Sequence, residues 1–221
     1  MNRVHVIGSG RVGSAVSARL RERGVALGAH DAELALLCVP DDAIASVAAG
    51  IEPGPWVAHV SGATPLSSLA PHERRFSVHP LQTFARWRGP EQLDGAWAAV
   101  TAETDDGRAG ATELARTLGR RPFDLADSSR TLYHAGAVFA SNYVVTLHRA
   151  ASLLLEAADA PPEALEPLIR RTIENGFELT GPISRGDWRT VAAHRAAIQE
   201  RLPELDHLYE TLAGATLALA T

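Results

Sequence analysis

A short apolar run, Val4-His5-Val6-Ile7, feeds directly into Gly8-Ser9-Gly10-Arg11-Val12-Gly13, and no other stretch of this 221-residue chain restricts its fold as much. Three glycines at G-x-G-x-x-G spacing between a strand and a helix form the turn of a dinucleotide-binding βαβ unit. The first permits a tight turn, the second lets backbone approach a pyrophosphate, and the third lets the helix pack on the strand. Free N–H groups at the helix N-terminus, with the aligned peptide dipoles behind them, favour an anion there. Val16 and Leu20 supply the apolar face of a helix over residues 15–23, and Gly24 is a suitable stop. The alternative is a glycine turn kept only for packing.

The segment between this helix and the next apolar strand is too short for a full dinucleotide half. From Gly24 the chain passes through Val25-Ala26-Leu27, at best a stub of strand, and is at once in the apolar run Leu34-Ala35-Leu36-Leu37-Cys38-Val39-Pro40, a buried parallel strand. Parallel neighbours need a crossover of a dozen or more residues, which residues 28–31 cannot supply. The phosphate cradle is therefore expected to survive while the adenosine wall is shortened. Asp31 and Glu33 stand nominally where an acidic residue would grip the ribose, with capping or turning the chain as the alternative for Asp31.

The rest of the first half alternates short helices with apolar segments: a helix over residues 41–49 with an acidic first turn, strands at residues 56–60, 75–80, 96–100 and 121–125, and a helix over residues 108–118. That alternation predicts a parallel sheet. Beyond Asp127 the pattern is helical throughout: a long apolar helix over residues 131–158, a Pro-start helix to about residue 179, one capped by Asp187, and one over residues 203–219. The expected organisation is an α/β domain with a Rossmann-like parallel sheet and a shortened adenosine-binding half, residues 1–126, followed by an all-helical domain, residues 127–221. The long helix is apolar on too many sides to be solvated alone, which points to a bundle or a homodimer interface in the helical half.

Composition narrows the chemistry. A net charge of −5 gives no reason to expect a nucleic-acid partner, and the single cysteine, Cys38, lies inside an apolar strand and allows no intrachain disulfide or cysteine metal cluster. No metal site is expected. The chain enters its first strand without a charged leader and has no run long enough to span a bilayer, so a cytoplasmic protein without a membrane partner is expected. All 21 basic residues are arginine. Without lysine there is no Schiff-base chemistry and no lysine acid or base, so a proton donor must be His, Tyr, an acid, Cys or water.

Ligands of open parallel sheets bind outside the carboxyl ends of the strands. The glycine turn, Pro40-Asp41-Asp42, His59-Val60-Ser61-Gly62 and His79-Pro80-Leu81-Gln82-Thr83-Phe84 all fall at such ends. These segments, with Tyr133-His134-Ala135-Gly136-Ala137-Val138-Phe139-Ala140-Ser141-Asn142-Tyr143 and Leu179-Thr180-Gly181-Pro182-Ile183-Ser184-Arg185-Gly186-Asp187, resemble the family that joins a Rossmann-like domain to a DUF2520 domain. That family is a branch of the 6-phosphogluconate dehydrogenase-like superfamily, related in plan to pyrroline-carboxylate, ketopantoate and prephenate dehydrogenases or reductases.

The resemblance implies NAD- or NADP-linked oxidation or reduction of a small keto, imino or hydroxy acid in a cleft between two domains, commonly as a dimer. It implies cofactor contacts from Gly8, Ser9, Gly10, Arg11, Val12, Gly13, Pro40 and Ser61. The chain departs from the pattern at the adenosine side and at Val138, one turn before Asn142, where relatives carry a lysine. His134 is then the choice for acid or base, with Asn142 and His79 as its catalytic partners; helical spacing puts His134 and Ser141 on nearly one face beside Asn142. Gln82, Tyr133, Ser141 and Arg185 are the candidate substrate contacts, Arg185 as a bidentate carboxylate ligand. For each the structural alternatives stand: a satisfied buried imidazole at His134, loop geometry before Pro80 at His79, a capping or surface pair at Arg185, a packed phenol at Tyr133. The rival functions are a non-catalytic ligand-binding or regulatory protein with a degenerate site, and an enzyme using a phosphate-bearing cofactor without adenosine, such as the deazaflavin F420.

Overall fold

The computed structural model describes residues 1–220, so Thr221, the last residue of the expected second domain, lies outside the described residues. The chain divides into two compact units, residues 1–139 and 140–220 of the description, with the division at Phe139/Ala140. The sequence places that boundary at 126/127; the helix Arg130–Val138 groups with the first unit.

The first unit is a seven-stranded sheet in the order β2-β1-β3-β4-β5-β6-β7. Its strands are β1 (Arg3–Ile7), β2 (Ala26–Leu27), β3 (Leu34–Leu37), β4 (Trp56–His59), β5 (Arg75–Pro80), β6 (Trp97–Ala102) and β7 (Arg121–Asp124). Helices α1 (Arg11–Glu22) and α3 (Asp105–Thr117) contribute Val16, Leu20 and Leu114, and the C-cap of α3 contributes Leu118, to a core with Val4, Leu36, Phe76, Val78 and Val100. Helix α2 (Ile44–Ala49) and a 3-10 turn, Leu66–Leu69, join Leu37 and Val57 in a second cluster.

The stub at β2 shows how the chain reaches β3 without a crossover helix. Arg3 and Val4 pair with Ala26 and Leu27 on one side, and Val4 pairs with Leu34 on the other. The end of β2 is thus level with the start of β3, and the chain crosses beneath β1 through residues 28–33 without travelling back along a strand. Two strand spacings, roughly 10 Å, are all it must cover. Asp31 adopts a positive φ of 53° in this crossing. Glu33 accepts the Asn2 N–H at the amino ends of β1 and β3, the opposite end of the strands from the glycine turn.

The sheet is mostly rather than wholly parallel. Strand β6 runs antiparallel to β5, with Pro80 opposite Ala98 and Phe76 opposite Ala102. The physical reason lies in residues 81–96, which hold one 3-10 turn (Pro90–Leu93) and no crossover helix, so the chain returns beside the strand it has left.

Two helical expectations also change. Helix α4 (Arg130–Val138) is followed by a π-helical turn, Phe139–Tyr143, and then α5 (Val144–Ala157), instead of one uninterrupted α-helix. Helix α6 (Leu165–Glu174) stops short of residue 179, because Gly176 turns left-handed and the Phe177 N–H closes on the Thr172 carbonyl at 3.0 Å. Helix α7 (Trp188–Arg201) starts where expected: the Asp187 carboxylate accepts the Thr190 N–H at 3.2 Å. Helix α8 (Asp206–Ala220) is tied to it by Arg195, which donates to both Asp206 oxygens at 2.8 and 2.9 Å. No helix among the described residues is long and apolar enough to cross a membrane.

Candidate active site

The glycine turn distributes its three glycines by what surrounds them. Gly8 has φ +113°, and a Cβ there would fall 2.4 Å from the Cys38 carbonyl oxygen; a Cβ on Gly13 would fall 2.0 Å from the Gly8 carbonyl oxygen. Neither position admits a side chain. A Cβ on Gly10 would meet nothing within 4 Å. Helix α1 then begins at Arg11 with no side-chain cap and no acidic residue in its first turn, which leaves its N–H groups for a ligand. The Ser14 hydroxyl donates to the Ser9 carbonyl at 3.0 Å and tightens the turn from behind. A cavity of about 420 Å³ opens over it, walled by Ser9, Gly10, Arg11 and Ser14 and by residues 85, 86 and 88–90. The half-buried Val12 packs into the core, and Pro40 precedes the 3-10 turn Asp41–Ala43. Close backbone, open space, an uncapped helix and Arg11 together fit a phosphate-bearing cofactor.

A second cluster forms at the ends of β4 and β5. His79, the fifth residue of β5, shares a 2.7 Å hydrogen bond between its Nδ1 and the Tyr133 hydroxyl, and the two rings meet edge-on at 5.5 Å. His134 packs at 6.3 Å from His79, and Gly62 lies between them: a Cβ on Gly62 would fall 2.8 Å from His79 Cε1 and 3.0 Å from His134 Cδ2. Only a glycine lets both imidazoles close over this loop.

Burial, with repulsion from His134 and Arg130, pushes the His79 imidazole down to about 4, and burial pushes the Tyr133 phenol up to about 12. Both are therefore uncharged near neutral pH. With His79 Nδ1 bare, Tyr133 donates to it; with the proton on Nδ1, the phenol is free to donate to a substrate oxygen.

The cluster rests on a residue that sequence reasoning missed. Arg130, only 2% exposed, donates from Nε to Asp127 at 2.6 Å, from Nη1 to the Ser61 carbonyl at 3.1 Å, and from Nη2 to the Ser77 hydroxyl. Asp127 in turn accepts the Leu66 N–H at 3.1 Å. One guanidinium thus staples the start of α4, which carries Tyr133 and His134, to the loop after β4 and to β5. In the sequence it reads as an ordinary i,i+3 acid–base pair; the one signal is an arginine at the head of an otherwise apolar helix.

His59 gave no sequence signal beyond its place at a strand end. It is fully buried, its Nδ1 accepts the Ser61 N–H at 3.2 Å, and burial with the charge of Arg130 pushes it down to about 3. The Ser61 hydroxyl accepts the Ala63 and Thr64 N–H groups at 3.2 and 3.0 Å, so that oxygen builds the loop. Gln82 is exposed and accepts the Thr83 N–H.

Ser141, Asn142 and Arg185 belong to the second unit. The α-helical spacing read from His134 to Ser141 and Asn142 does not carry through the π-helical turn that contains them. Arg185 is exposed, and its Nη1 donates to the Thr180 carbonyl within its own loop. Among the described residues no three His, Cys, Asp or Glu side chains are placed to hold a metal ion.

A glycine turn at the strand ends of a mostly parallel sheet, continued by a helical unit, defines a protein of Rossmann-like fold. The chain belongs to the family described as domain of unknown function DUF2520, whose family model matches residues 96–216. No curated protein matches it significantly.

Among solved structures it is similar to the candidate NADP oxidoreductase BF3122 from Bacteroides fragilis, at TM-score 0.83 and 22% identity over 98% of each chain. It is similar to protein TM1727 from Thermotoga maritima, at 0.76 and 21% over 98% of this chain and 97% of that one. Pyrroline carboxylate reductase from Plasmodium falciparum, solved with NADP bound, aligns at 0.61 and 10% over 100% and 97%. At these identities the likeness establishes the fold.

Proposed function

We propose that the protein is an NAD(P)-dependent oxidoreductase acting on a small keto, imino or hydroxy acid, ketopantoate-like acids being the analogy at hand. The observation that carries this reading is the turn itself: two glycines that tolerate no Cβ frame a third that faces open space at an uncapped helix N-terminus. The fold shared with a candidate NADP oxidoreductase and with a reductase solved with NADP bound supports it.

Gly8, Ser9, Gly10, Arg11, Val12 and Gly13 hold the diphosphate, with Pro40 and Ser61 shaping the adjoining loops. A bound nicotinamide supplies or accepts the hydride. The chain's own task is the proton: His134 exchanges it with the substrate oxygen or nitrogen, and the neutral His79–Tyr133 pair, locked at 2.7 Å, orients that group and shields it from water. Asn142, Ser141, Gln82 and Arg185 keep the substrate roles that the family resemblance gives them, Arg185 as carboxylate ligand. In the helical unit Val145 is 70% exposed, Leu168 61% and Phe177 70%, and we assign this apolar surface to a homodimer.

Thermal shift with NADPH, NADH and a deazaflavin cofactor tests the reading, since a ligand at 100 times its Kd should stabilise by about 2.7 kcal/mol. Stabilisation by a nicotinamide cofactor, followed by turnover of a keto or imino acid that falls in His134→Ala, is the expected result. A response to the deazaflavin alone would favour the second reading, which the two-residue β2 supports: a phosphate-bearing cofactor without adenosine. Silence from all three would favour a non-catalytic binding protein. Light scattering showing a monomer would remove the dimer.

A further inference from the structure

The wall opposite the glycine turn is built from the connection between β5 and β6, and its chemistry is one-sided. Arg86 and Arg88 line the same 420 Å³ cavity as Arg11, and no carboxylate lines it. In a chain of net charge −5, three guanidiniums gathered at one hollow are a departure from the surface average. Arg11 and Arg86 make no ion pair among the described residues, and Arg88 has only a loose one, 3.7 Å from Glu91.

This wall is held in place. The buried Gln92 side chain accepts the Ala85 N–H at 2.7 Å and donates to the Arg88 and Gly89 carbonyls at 2.9 and 3.0 Å, which sets the backbone between the two arginines. Arg19 of α1 donates to the Pro90 carbonyl at 2.8 Å and to both Asp94 oxygens at 2.5 and 3.0 Å, so the loop is tied to the helix whose N-terminus forms the facing wall. Cations on a pinned loop facing free backbone N–H groups are a site for a polyanion.

We infer that Arg86 and Arg88 are phosphate-binding residues that complete the anion site over the glycine turn from the side away from the truncated β2, and that they hold the diphosphate of the cofactor against it. The inference rests on the proposed function for the identity of the cofactor, but not for the anion site. The affinity that a full adenosine wall would give is moved to the phosphates, where planar guanidiniums bind bidentately.

Calorimetric titration of inorganic pyrophosphate, NADPH and NADH tests this on the wild type, on Arg86→Gln/Arg88→Gln, and on Arg21→Gln/Arg116→Gln, which removes the same charge at positions outside the cavity. The expected result is that the loop variant binds pyrophosphate, NADPH and NADH about 100-fold or more weakly, each of the two lost contacts to a charged donor being worth about tenfold or more, while the control stays near wild type. NADPH affinity unchanged in the loop variant would overturn the inference and leave the proposed function standing. Pyrophosphate binding lost in the loop variant, with neither nicotinamide cofactor binding the wild type, would do the reverse. A wild type that binds none of the three would end both.

Discussion

Acid should destabilise the first unit well before its carboxylates titrate, because two imidazoles near the candidate site are held neutral by burial. His59 sits at about 3 and His79 at about 4 in the folded chain, against 6.5 for an ordinary histidine. Between pH 6.5 and 4 the unfolded chain binds two protons that the native state refuses, so stability rises with pH across this window and is lost as pH falls. Each proton contributes a slope of roughly 1.36 kcal/mol per pH unit. Over the 1.5 units from 6.5 to 5 that is about 2 kcal/mol per histidine and about 4 kcal/mol for the pair, a large share of the roughly 5–15 kcal/mol that holds a domain together.

Urea unfolding followed by tryptophan fluorescence in a Trp188→Phe background reads this unit alone, since Trp56, Trp87 and Trp97 all lie in it. His59→Asn keeps an acceptor for the Ser61 N–H and removes one titration, so the slope should fall by about half. A stability that is flat between pH 6.5 and 5, or a slope unchanged in His59→Asn, would refute this reasoning.

Gly10→Ala and Gly13→Ala should separate binding from stability. A Cβ at residue 13 lies 2.0 Å from the Gly8 carbonyl oxygen and must force the turn apart, lowering stability by about 2 kcal/mol or more, while one at residue 10 meets nothing and should leave Tm near wild type yet abolish NADPH binding. Asp187→Ala should cost about 1 kcal/mol, read as faster hydrogen exchange in the first turn of α7. Cys38, 8% exposed with its thiol pushed up to about 12 by burial, should react with iodoacetamide only in denaturant; labelling of the native protein at pH 8 would contradict its burial.

Much of this molecule is written in short-range order. The glycine turn, the apolar strands, the stop at Gly24 and the cap at Asp187 depend on residues a few positions apart, so periodicity and turn chemistry reveal them, and the stub of a second strand with no crossover helix after it emerges from simple counting between Gly24 and Leu34. The antiparallel β6, the π-helical turn at Phe139–Tyr143 and the early end of α6 were not legible, because each depends on which way a packed chain can return or where a left-handed residue closes a helix.

The same holds for the site. His79, Tyr133 and His134 could be picked out as residue types, but that they meet over Gly62 is a fact of packing, and so is the guanidinium that holds them there. Arg130 bonds to Ser77 and Ser61, 53 and 69 residues away. Hydrogen-bond partners so distant in sequence leave no local signature; they are chosen only when β4, β5 and α4 bury their apolar faces together and an arginine trapped between them must satisfy its donors with whatever acceptors the fold brings near.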